Sequence, residues 1–125
     1  MSTETTTQAP FVIVHVKHEF TRRDIEDLLV TAFEGGSNYW IGEVMFFGEQ
    51  SGSVYERALS CVGVMVKTAD DHKVYVLNSE IMRRGIYVLA SKRPDVLNRI
   101  IAEQWDADDA DAWLQCCLFE NVIYC

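Results

Sequence analysis

The chain has 125 residues, 49% of them hydrophobic and 24% charged, with 11 Lys+Arg against 19 Asp+Glu and a formal charge of −8. A chain this long buries roughly two-thirds of its unfolded surface, so one domain forms without a metal or disulfide staple. The charge argues against a nucleic-acid polymer as partner, because such binding neutralises many phosphates. No apolar run approaches the ~20 residues of a membrane span.

The charge is unevenly spread. Residues 1–100 hold all 11 bases and 13 acids, whereas residues 101–125 hold six acids and no base. The stretch from Met1 to Pro10 is polar and Thr-rich, with neither a basic start nor an apolar core, so it reads as a disordered leader rather than a secretory signal. Residues 11–125 are expected to form a single α+β domain. The four cysteines (Cys61, Cys116, Cys117, Cys125) show no CxxC pair and no disulfide-scaffold spacing, which fits a reducing cytoplasm.

In chain order, Phe11 to Lys17 is β-branched and loosely alternating, the pattern of a first strand. Thr21 precedes Asp24 by three residues and opens a helix with Ile25, Leu28, Leu29, Ala32 and Phe33 on one face. Gly35-Gly36 is expected to end it in the left-handed conformation of a C-cap. Tyr39 to Phe47 predicts a second strand and Gly48 to Glu56 a polar loop. Ala58 to Lys67 is apolar on both faces, as in a central strand, and its Cys61 is expected to be a buried, inert thiol. A turn over Thr68 to His72 leads into a pairing arm from Lys73 to Leu77.

Asn78 or Ser79 caps the next predicted helix, whose buried stripe is Met82, Gly85, Ile86, Leu89 and Ala90, with Gly85 permitting close backbone approach. Pro94 suits the first position of a third helix bearing Val96, Leu97, Ile100 and Ile101. Asp106 caps a fourth, with Ala110, Trp113, Leu114, Cys117 and Leu118 inward. Asn121 to Tyr124 adds a short terminal strand. The order predicts an α+β fold: a mostly antiparallel sheet of about four strands with four helices on one face.

Three groupings carry candidate chemistry. The segment Glu34-Gly35-Gly36-Ser37-Asn38-Tyr39-Trp40 joins exposed backbone amides, a side-chain amide and two aromatics, a set suited to a small planar ligand. Its structural alternative is a helix end, a turn and a core strand. The bases Arg83, Arg84, Lys92, Arg93 and Arg99, with Arg57 from the loop, offer phosphate contacts or else pair with acids on solvated helix faces. Asp106-Ala107-Asp108-Asp109-Ala110-Asp111 offers a hard-cation site by oxygen count, but it lacks the calcium-loop spacing. The plainer reading has these acids offsetting a helix dipole, with Asp108, Asp109 and Asp111 on a solvated face. No nucleophile–base pair, zinc spacing, Walker motif or dinucleotide fingerprint is present, so neither a catalytic residue nor a metal or cofactor is expected.

The pattern Asp24 to Leu29, then Ala32 to Trp40, with Gly85, Ala90, Pro94 and the stretch Asp106-Ala107…Ala110-Asp111…Leu114-Gln115…Leu118-Phe119…Val122-Ile123-Tyr124, resembles a widespread group of small, mostly uncharacterised bacteriophage and prophage proteins. The resemblance runs from about Ile13 to Cys125. In that pattern glycine stands where this chain has Glu120 and again where it has Cys125, which bears on any ligand role of the tail. The resemblance implies a counter-defence protein in the host cytoplasm that is not an enzyme. One implied role is a homo-oligomeric sponge for a small anionic, nucleotide-type signalling ligand, bound by Glu34, Gly36, Asn38, Tyr39, Trp40, Arg57 and Arg84. The other is direct inhibition of a bacterial defence protein, anti-CRISPR-like or as an acidic nucleic-acid mimic. A −8 protein repels a free anion at long range, so a sponge needs a locally basic pocket.

Overall fold

Thr21 starts the first helix as its sequence predicts. Its hydroxyl oxygen accepts from the Asp24 N–H at 3.1 Å, and the Asp24 carboxylate accepts from the Thr21 N–H at 2.9 Å. The structure, a computed structural model, describes residues 9–12, 17–49 and 51–125. Within them lie helices α1 (Arg22–Thr31), α2 (Val54–Ala58), α3 (Ser79–Lys92), α4 (Pro94–Ile101) and α5 (Ala107–Phe119), and strands β1 (Ile41–Phe46), β2 (Val64–Thr68) and β3 (Val74–Leu77). The predicted strand over Phe11 to Lys17 falls largely on residues 13–16, outside the described residues.

The fold is α+β, with a three-stranded antiparallel sheet in the order β1-β2-β3. The predicted central strand is central, but it begins at Val64 rather than Ala58. Ser53 caps α2 by accepting from the Tyr55 N–H at 3.0 Å, which draws Val54 to Ala58 out of the expected loop and strand into a helical turn. Cys61 therefore lies in the exposed connection to β2, not in an apolar strand. Gly63 follows with φ near +80°, and a β-carbon there would sit 2.2 Å from the Leu77 carbonyl oxygen. The expected terminal strand over Asn121 to Tyr124 is instead an irregular strap, because Gln115 supplies the hydrogen bonds that a neighbouring strand would have supplied.

Side chains alternate across the sheet. Val64, Val66, Thr68 and Leu77 point inward and are buried against the helices, while Met45, Met65 and Val76 share a row on the opposite face. Asn78 caps α3 through the Ile81 N–H, and Pro94 opens α4. Of the predicted stripes, Met82, Gly85, Leu89, Val96 and Ile100 are buried, but Ala90 and Ile101 are exposed because they sit at the outer margin of their helices.

Helix α5 corrects the reading of the acidic tail. Every residue from Asp109 to Cys117 is buried, so this is a central helix enclosed by α1, α3, α4 and β3 rather than an amphipathic one. Asp108 is exposed, but Asp109 and Asp111 are not on a solvated face. Each is held inside by donors from other elements. Gly85 of α3 lies against it so closely that a β-carbon would fall 2.2 Å from the Cys117 sulfur.

Candidate functional site

The Gly-Gly-Ser-Asn-Tyr-Trp segment is built around the carboxylate of Asp111, which lies inside the fold and not on the solvated face that its acidic run predicts. After α1 the chain widens into one π-helical turn, Ala32–Gly36, and Ser37 to Trp40 form a tight turn into β1. Gly36 has no left-handed backbone. It is glycine because a β-carbon would lie 2.4 Å from the Ala107 carbonyl oxygen, where the turn meets the start of α5. That approach brings three donors onto Asp111: Ser37 Oγ at 2.7 Å, Trp40 Nε1 at 2.7 Å and the Tyr39 hydroxyl at 2.6 Å. The Gln115 side-chain amide donates a fourth bond at 3.0 Å. Four donors fill the lone pairs of a carboxylate that is 6% exposed, so the buried charge is satisfied without a cation. Burial, then the facing Asp111 carboxylate, pushes the Tyr39 phenol well above its ordinary pKa and keeps it a neutral donor.

Gln115 extends the hub to the chain's last residues. Its carbonyl oxygen accepts from the Ile123 and Tyr124 N–H groups, each at 2.8 Å, and its amide nitrogen donates to the Tyr124 carbonyl at 3.1 Å. Tyr124 is thereby laid parallel to the Trp40 ring, with centroids 5.5 Å apart, while Phe119 meets Trp40 edge-on at 5.2 Å. Trp40 is 2% exposed, so both faces of its ring are occupied from within.

The seven sequence-chosen ligand residues therefore separate. Gly36, Tyr39 and Trp40 converge on Asp111 and α5. Asn38 is exposed beside them. Glu34 accepts from the Tyr55 hydroxyl at 2.7 Å, and burial followed by that carboxylate pushes the Tyr55 phenol up to about 12. Arg57 is turned to its own loop: it donates to the Phe47 carbonyl and Ser51 Oγ and lies over the Phe46 ring. Arg84 faces Glu120 at 3.6 Å.

The basic cluster is likewise largely consumed by ion pairs. Arg83 pairs with Glu80, Arg93 with Asp95, and Arg99 grips Asp109 through two parallel bonds of 2.8 and 2.9 Å. A cleft of about 540 Å³ opens between Arg93, Arg99, Tyr39 and the strap, but Asp106, Asp108, Asp109 and Asp111 line it as well. Four carboxylates against two engaged guanidiniums make it a poor place for an anion. Among the described residues no three His, Cys, Asp or Glu side chains are grouped to hold a metal.

A second cavity, of about 420 Å³, has the opposite character. It is a groove between the start of α1 and the outer side of α3, floored by Ile25, Leu59, Met82 and Ile86. Phe20 and Tyr87 supply aromatic walls, and Arg22, Arg83 and His18 stand at its rim with no carboxylate in the lining. Tyr87 is 71% exposed, an unusually open position for an aromatic side chain on a well-packed helix. The sequence carried little signal for this site: its two arginines are 61 positions apart (83 − 22), and only the packing of α1 beside α3 unites them. No protein-family model, curated protein or solved structure matches the chain.

Proposed function

We propose that this protein is a non-enzymatic binder that sequesters a small anionic, nucleotide-type ligand in the groove between α1 and α3, as a counter-defence protein of phage origin acting in the host cytoplasm. One observation carries the reading: unlike the cleft beside Tyr39 and two smaller hollows beside α1, each lined by carboxylates, this groove combines arginines with aromatic faces and has no acid in its lining. Phe20 and Tyr87 suit the planar face of a base and Arg22 suits phosphate oxygens, while Arg83 joins it by exchanging its exposed pair with Glu80, a contact worth little in water. The apolar floor lowers the local dielectric that strengthens those contacts. Its volume falls within the range of small-molecule sites.

The alternative, an acidic mimic that blocks a basic groove on a defence protein, finds less support. Asp109 and Asp111 are spent inside the core and Asp106 caps α5, so the tail offers a partner far fewer carboxylates than its composition suggests.

Isothermal titration against a panel of cyclic dinucleotides and ADP-ribose derivatives tests the proposal. The expected result is heat with at least one member, and affinity reduced at least about tenfold by Arg83→Ala and by Tyr87→Ala in folded protein. No heat with any member, together with stable co-purification of a bacterial defence protein, overturns it in favour of the inhibitor reading.

A further inference from the structure

The sheet turns one face to the helices; on the other, Val74 and Val76 are exposed and Met45 and Met65 are half-buried. On that outer face Met45, Met65 and Val76 form one cross-strand row, and Glu43, Lys67 and Val74 form the next. Val74 and Val76 are 49% and 44% exposed, and among the described residues no element lies over them. Apolar side chains set side by side on an outward sheet face suit an interaction site.

Its charge says which partner it fits. Glu43 and Lys67 pair with each other at 3.6 Å, so the face is neutral on a chain of −8. A basic protein would be drawn to the acids elsewhere on the molecule. A polyanion or an anionic membrane would find one lysine here, already paired. A neutral apolar centre bordered by one charge of each sign is complementary to itself. We propose that this face docks on the same face of a second copy, related by a two-fold axis, so that the rows of methionine and valine interleave and the Glu43–Lys67 pairs of the two copies offset one another. Methionine suits such a contact because its unbranched side chain adapts to an irregular opposing surface. Three short strands present a small area beside the ~800 Å² per partner of a standard interface, so a weak association is expected.

Sedimentation velocity of the full chain across a micromolar concentration series tests this. The expected result is a monomer–dimer equilibrium whose dissociation constant rises at least about tenfold with Val76→Lys. Lys67→Glu and Glu43→Lys each give the face a like charge to set against its own copy, and each weakens association. The double variant Glu43→Lys/Lys67→Glu restores neutrality and restores the dimer. Circular dichroism checks that each variant is folded. A monomer at every concentration overturns the proposal, as does a dimer unmoved by Val76→Lys, or a folded double variant that stays monomeric. The groove is built from α1 and α3 rather than from this face, so nucleotide titration of Val76→Lys keeps the two proposals separable.

Discussion

The indole N–H of Trp40 donates to a carboxylate oxygen of Asp111 at 2.7 Å, joining residues 71 positions apart. Ser37 donates to the same oxygen, and Tyr39 and Gln115 reach the other. One carboxylate thus fixes the turn before β1, the middle of α5 and, through Gln115, the strap over Trp40.

Asp111→Ala is therefore expected to destabilise the fold by about 2–5 kcal/mol. Ser37 Oγ and Trp40 Nε1 become buried donors without acceptors, each costing on the order of 1–3 kcal/mol, whereas the Tyr39 hydroxyl can turn to water. Asp111→Asn keeps the volume but turns an N–H₂ group toward two donors, so it falls between wild type and Ala. Urea unfolding followed by tryptophan fluorescence measures both. An Asp111→Ala midpoint equal to wild type would mean that the hub contributes nothing.

Local structure was legible wherever a side chain bonds its own neighbourhood. The Thr21 capping box, the Asp106 cap, a cap at Asn78 or Ser79 (Asn78 takes it), Pro94 and the hairpin through Thr68 to Leu77 all rest on contacts within a few residues. The site was not legible for the converse reason. An aspartate in an acidic run reads as solvated unless its donors are known, and those of Asp111 lie at residues 37 to 40. The unusual Gly-x-Asn-Tyr-Trp residues were visible as unusual, but a stacking platform and a core tryptophan share one sequence signature. Packing alone distinguishes them, here by laying Tyr124 on the Trp40 ring.

Glu120 closes α5 with φ near +60°, a conformation that costs a residue with a β-carbon and suits glycine. Glu120→Gly relieves that cost and gives up only an exposed contact with Arg84, worth little in water. Relief of a left-handed backbone, ~1–2 kcal/mol, less glycine's larger unfolded-state entropy, leaves an expected gain of about 1 kcal/mol, read as a higher thermal midpoint. A lower midpoint would show that the Arg84–Glu120 pair outweighs the backbone term.

Gly85→Ala should act in the opposite direction. Its β-carbon would meet the Cys117 sulfur at 2.2 Å and the Cys117 α- and β-carbons at 3.1 Å, so α3 and α5 must separate. Overpacking of this kind costs about 1–3 kcal/mol. Gly35→Ala, with nothing within 4 Å, is the control and should be neutral or slightly stabilising. Cys117→Ala removes the sulfur, so the double variant Gly85→Ala/Cys117→Ala should recover part of the loss relative to the sum of the singles. Strict additivity would place the strain in the backbone contact instead.

Acid stability should report on the Arg99–Asp109 clamp. The guanidinium of Arg99 holds the Asp109 carboxyl below the usual carboxylate range, against an opposing push from burial. A carboxyl whose folded pKa is depressed stabilises the fold fully above its unfolded pKa of about 3.9, and that contribution is lost as pH falls through the folded value. Arg93 likewise brings Asp95 down to about 2, but that pair is open to solvent and screened. The denaturation midpoint of wild type should thus decline as pH drops from about 5 toward 3, and Asp109→Asn should flatten that decline. Arg99→Met should flatten it too, with some loss of stability at neutral pH because Asp109 is left charged and buried without its partner. Arg93→Met should leave the slope nearly as it is. A slope that survives both Asp109→Asn and Arg99→Met would assign the acid sensitivity to another carboxylate.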